Sequence, residues 1–147
     1  TIKKRLKVVK TLSDNGIPVN VMLAPIIPSI NSHEILPMAK AVSEAGALSI
    51  AHTIVRLNGT IGAIFTDWIK KTMPDRANKV LRQIENCHGG TLNESRFGKR
   101  MRGEGQIAKQ INDLVKLARL KYFKDKRMPK LNTELHEQYK IGQMKLF

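Results

Sequence analysis

The segment RFGKRMRGEG, Arg96–Gly105, sets the cations Arg96, Lys99, Arg100 and Arg102 among three glycines, with Phe97 and Met101 between them. Glycine lets a backbone approach a ligand closely, and arginine grips phosphate in a fork. The pattern therefore points to contact with nucleic acid or with the open end of a larger fold. The plainer alternative is a structural loop whose arginines cap strand or helix ends, and Phe97 and Met101 are expected to pack. Arg56 follows the apolar run Leu48–Val55, where a guanidinium could clamp a carboxylate or phosphate; its alternative is an ion pair with Glu34 or Asp67. Cys87-His88 invites a nucleophile or metal reading. Adjacent side chains do not orient as a nucleophile and its base, and no second ligand cluster appears, so no catalytic or metal residue is assigned. His52 lies within an apolar run and is expected to be a hydrogen-bonded core residue.

These residues need elements to position them. Gly16–Glu34, GIPVNVMLAPIIPSINSHE, reads as a strand over Val19–Ala24 buried on both faces, stopped by Pro25 and Pro28. Asn31 stands three residues before Glu34, the spacing of a capping box. A loop at the carboxyl end of a parallel strand is where α/β proteins place ligands. Ile2–Ser13 reads as a basic amphipathic helix and His33–Ala45 as a second, with Pro37 in its first turn. A second strand is expected over Leu48–Val55. Helices follow over Gly62–Lys71, Pro74–Asn86 and Gln106–Tyr122, with an irregular loop over Thr91–Gly105. Strands alternating with helices imply a parallel sheet, and two strands alone leave its edges and faces uncovered. The expectation is therefore the end of a larger sheet or barrel, continued by protein on the N-terminal side of Thr1.

Composition narrows the partners. The 41% apolar content is enough for a core, and no run is long enough to span a membrane. A single cysteine excludes an internal disulfide and suits a reducing, cytoplasmic compartment. The net charge of +14 is uneven: residues 96–147 carry fourteen basic and five acidic side chains, whereas residues 11–95 are balanced. A basic C-terminal third suggests a polyanionic partner; the alternative is a solvated basic surface.

The combination of GIPV-strand-PIIPSINSHE, AGA-strand-VRLNG, FTDW and RFGKRMRGEG resembles the C-terminal half of a radical S-adenosylmethionine (SAM) protein of the spore photoproduct lyase-like, DNA repair photolyase group. The resemblance covers Thr1 to about Tyr122. It implies an α/β fold, the C-terminal part of a partial (β/α)6 TIM-type barrel over residues 1–90. A Gly/Arg-rich loop and helix would follow over 91–123, with a basic tail over 124–147. It also implies SAM and a [4Fe–4S] cluster as cofactors, with SAM cleaved reductively to a 5′-deoxyadenosyl radical. Pro25, Ile26, Ile27 and Pro28 match the segment that packs on the SAM adenine, and Arg56 would hold the SAM carboxylate or a substrate phosphate. The cluster motif CxxxCxxC is absent, so the chain alone is expected to be inactive. Nucleic acid is the expected substrate, in DNA repair. The alternative is a non-catalytic basic α/β module that binds nucleic acid through Arg96, Lys99, Arg100 and Arg102.

The terminal Gln143-Met144-Lys145-Leu146-Phe147 resembles the pentapeptide with which bacterial replication and repair proteins dock on the DNA sliding clamp. Gln143, Leu146 and Phe147 match it, and Lys145 departs by charge. The alternative is a short apolar end tucked onto the domain.

Overall fold

The computed structural model describes residues 1–134, 136 and 137. Helix α1, Ile2–Asp14, starts where the Thr1 hydroxyl accepts from Lys4 N–H at 3.4 Å, and Gly16 at φ 73° turns the chain out of it. Strand β1, Asn20–Ile26, leads through a 3-10 turn, Ser32–Glu34, into α2, Ile35–Glu44. Pro37 is in the first turn of α2, where its missing N–H costs no helical bond. Strand β2, Ser49–Ile54, then pairs parallel with β1 from Asn20↔Ser49 to Ile26↔Ile54. The chain is thus mixed α/β, with a two-stranded parallel sheet among the described residues. None of its described helices is long and apolar enough to cross a membrane.

Two expectations for β1 change. The strand does not stop at Pro25 but runs on to Ile26, because the pairing shifts register between Leu23 and Ile26. A proline is tolerated at such a bulge, where the ladder does not need its N–H. Nor is β1 buried on both faces. Val21, Leu23 and Ile26 turn toward the helices, while Asn20, Met22 and Ala24 are exposed, Met22 by 55%.

The helices lie on one face. Leu6 and Val9 of α1, Ile35 and Val42 of α2, and Ile111 and Val115 of α5, Gly105–Tyr122, share a core with Ile26, Ile50 and Ile54. Gly46 ends the α2 turn at φ 99°, and its carbonyl accepts from Ser13 Oγ at 3.1 Å. A Cβ there would come within 2.2 Å of that oxygen, so glycine is what lets α1 close on this turn. Helices α3, Thr60–Thr72, and α4, Pro74–Cys87, form a second core beyond the strand ends from Val55, Leu57, Ile69, Val80 and Ile84.

The sheet's two edges differ. Arg119 of α5 donates to the Ile50 carbonyl, and Ile54 N–H donates to the Met101 carbonyl at 3.1 Å, so the outer edge of β2 is covered. No described strand pairs with the outer edge of β1. An open edge and an open face are the two features that a parallel sheet normally covers.

Candidate functional site

Three segments meet at the carboxyl ends of the strands: residues 27–31 after β1, 55–59 after β2, and the loop 91–104. Backbone bonds tie them together, Val55 N–H to Ile26 O at 2.9 Å and Leu57 N–H to Leu92 O at 3.0 Å.

The first segment is held by Asn31, which does not cap the following helix. Its Oδ1 accepts from Ile27 N–H at 2.7 Å and its amide donates to Pro25 O at 3.0 Å. Ser29, at φ 61°, donates to Gln83 Oε1 of α4 at 2.6 Å. The four candidate SAM-wall residues consequently separate. Pro28 is fully buried, and Ile27 packs into the core of α3 and α4. Pro25 is exposed, and Pro25 and Ile26 line an apolar cleft of about 270 Å³ that runs along the open edge of β1 between α1 and α2. Val21, Leu23 and Met38 are among its further apolar lining, and Arg5, Glu34 and Asn31 add one cation, one anion and one amide.

Arg56 takes neither expected carboxylate. Its guanidinium donates to the Glu94 carbonyl at 3.1 Å, while Asp67 pairs with Lys71 at 2.8 Å and Glu34 lies beside His33. Arg56 therefore fastens the loop 91–104 to the end of β2.

Within that loop the four cations divide into two kinds. The Arg96 guanidinium forks onto the buried Glu94 carboxylate, with Nε 3.0 and 2.9 Å from its two oxygens, and reaches Glu104 at 2.9 Å. Lys99 Nζ reaches the other Glu104 oxygen at 2.7 Å. Hydrogen bonds from Arg96 hold the Glu94 carboxyl down to about 2. Those from Lys99, then Arg96, depress Glu104, and Arg96 is itself pushed up. Arg100 and Arg102 have no carboxylate partner among the described residues. Arg100 lies over the Phe97 ring, 5.7 Å from its centre, and Phe97 is 91% exposed. Phe97 and Met101 are thus surface residues, contrary to the expectation that they pack, because the ion-pair braces already hold the loop without them.

Below the loop, His52 Nε2 is 2.8 Å from Asn112 Oδ1, and the Asn112 amide donates to Arg102 O at 3.2 Å. Burial lowers the His52 pKa; the Asn112 bond opposes this, and the charges of Arg119 and Arg102 add to it. Cys87 is buried and its thiol is pushed up to about 11 by that burial. His88 is turned to Val55 O at 2.7 Å, so the Cys87-His88 pair is structural. No group of three His, Cys, Asp or Glu side chains fit for a metal occurs among the described residues. Gln143, Leu146 and Phe147 lie outside the described residues.

Sequence reasoning overlooked Glu94 and Glu104, the anions that set which arginines are free. Their signal is proximity: each lies within eight residues of Arg96, in a loop where every other charge is positive. No protein-family model, curated protein or solved structure matches the chain.

Proposed function

We propose that this chain is the C-terminal part of a radical SAM enzyme's partial (β/α)6 barrel. The observation that carries the proposal is the asymmetry of the sheet. The outer edge of β2 is sealed by Arg119 and the Met101 carbonyl, while the edge and one face of β1 are open. A sheet closed on one side only ends at β2 and continues at β1. The uncovered face carries Asn20, Met22 and Ala24, mostly short side chains that leave room for a ligand inside a barrel.

SAM, with a [4Fe–4S] cluster that supplies the electron for its cleavage to a 5′-deoxyadenosyl radical, would provide the chemistry. The fit to this chain is one-sided. Pro25, exposed at the end of β1, offers the apolar wall suited to an adenine, with the Ala24 backbone beside it, while Ile26 is buried on the helix side of the sheet and backs it. Ile27, Pro28 and Asn31 hold that wall in place from behind. Arg56 positions the neighbouring loop through Glu94 and does not reach toward the wall. The chain has one cysteine and no CxxxCxxC, so the proposal gives it the SAM side alone.

The test is expression of the longest reading frame that contains this chain, under anaerobic conditions with iron and sulfide. Visible absorption of a cluster and release of 5′-deoxyadenosine on reduction are expected. A frame without CxxxCxxC would defeat the reading.

A second reading, a basic nucleic-acid-binding module, is favoured by Arg100 and Arg102, which have no carboxylate partners among the described residues. Its test is binding of an oligonucleotide that weakens steeply with salt.

A further inference from the structure

We infer that the tip of the loop 91–104 is a stacking hook for single-stranded nucleic acid, in which Phe97 takes a base and Arg100 and Arg102 take the adjoining phosphates. The inference rests on the nucleic-acid reading and specifies its contact residues.

The loop is built from both ends inward. Its N-terminal limb is fixed by the Glu94 carbonyl on Arg56 and by the buried Glu94 carboxylate under the Arg96 fork. Its C-terminal limb is fixed by the Met101 carbonyl on Ile54 N–H and by Glu104 N–H on the Cys87 carbonyl at 2.9 Å. Arg96, Lys99 and Glu104 then link the limbs to each other. These braces consume Arg96 and Lys99, leaving a pinned loop with an aromatic ring and Arg100 at its tip and Arg102 on its C-terminal limb, two arginines without a carboxylate partner among the described residues.

Phe97 is the most exposed large apolar side chain among the described residues, and the Arg100 guanidinium lies over its ring. An apolar ring held in water beside a cation is costly unless a partner covers it. A nucleobase does so with its flat face, while the charge of its phosphate meets Arg100 or Arg102. Gly98, at φ 84°, lets the turn between ring and guanidinium stay tight. A duplex keeps its bases stacked on one another and offers the ring no face, so the hook selects single strands. Lys109 and Lys116 of α5, the helix that follows the loop, are also exposed and add to the positive charge.

The experiment measures binding of labelled 20-nucleotide single strands and blunt duplexes to the 147-residue chain by fluorescence anisotropy across a salt series. F97A is expected to weaken single-strand binding about tenfold and leave duplex binding unchanged; F97Y is expected to retain it and F97L is not. R100A/R102A is expected to weaken both ligands and flatten the salt slope by about two. R96A, whose residue is a positioning group, is expected to cost affinity together with faster tryptic cutting of the loop. Single-strand binding that F97A leaves intact overturns the hook but preserves the nucleic-acid reading. No binding of either oligonucleotide overturns both. Binding that F97A abolishes only for phosphatidylglycerol vesicles assigns the tip to a membrane surface and overturns it as well.

Discussion

Arg119 places its Nε and one terminal nitrogen 3.1 and 2.7 Å from the single carbonyl oxygen of Ile50. A carbonyl of β2 is thereby satisfied by a helix instead of a strand, and β2 is an edge of the two-stranded sheet among the described residues. Arg119→Met keeps the unbranched stem of the side chain out to about the position of Nε and removes both donors. The expected loss is about 1.5–3 kcal/mol, the range for a hydrogen bond to a charged group. A lowered urea midpoint with an unchanged slope would be the readout, and no shift would show that water replaces the guanidinium at no cost.

The His52 imidazole sits against Asn112 with Arg119 and Arg102 near it, and burial lowers its pKa below the ordinary 6.5. The unfolded chain therefore takes up this proton at a higher pH than the folded one. Stability should fall as pH drops from 6.5 and level off only below the folded value. Comparing urea midpoints at about pH 8 and about pH 5.5 for the wild type and His52→Gln tests the sign. The variant should lose less stability on acidification; an equal loss would place the titration elsewhere.

Gly103 lies at φ 68°, where a Cβ would stand 2.9 Å from the Cys87 carbonyl oxygen and 3.0 Å from Ala108 Cβ. Both neighbours belong to helices and neither can swing aside. Gly103→Ala should destabilise by about 1–3 kcal/mol from the left-handed backbone alone, before the clash is counted. It should also loosen the loop against α4, seen as faster amide exchange at Glu104, whose N–H donates to Cys87 O. Gly98→Ala, with nothing within 4 Å, should cost less.

How far the fold could be read in advance depended on whether the signal was local. The apolar spacing of Ile107, Ile111, Leu114, Val115 and Ala118 is a helix-face signal, and α5 starts within a residue of the expected point. Pro74 and Gly89-Gly90 likewise mark α4 closely. The exposed face of β1 was not legible, because a short β-branched run looks the same with one face buried or two. Asn31 was misassigned since a capping box and a loop staple share the same residue types; only the position of Ile27 N–H separates them. In the site, four cations in one stretch look alike until Glu94 and Glu104 are placed. The division into braces and tip is a tertiary fact.

That division sets the loop's response to acid. Glu94 is held down to about 2, first by the Arg96 side chain and then by its N–H, and Glu104 is lowered by Lys99 and Arg96. Depressed carboxyls stabilise the folded loop fully above the ordinary value of 4.5, and that contribution disappears as pH falls through the folded values. The braces should therefore hold at mildly acidic pH and fail only between 4.5 and about 2. Amide exchange at Arg96, whose N–H donates to Glu94 Oε1 at 2.8 Å, reports this directly. In Glu94→Ala both the charge and the acceptor of the Arg96 N–H are gone at every pH, so protection at Arg96 should already be lost at neutrality and show no acid transition. A transition centred at 4.5 in the wild type would mean that Glu94 is not held by Arg96 in solution.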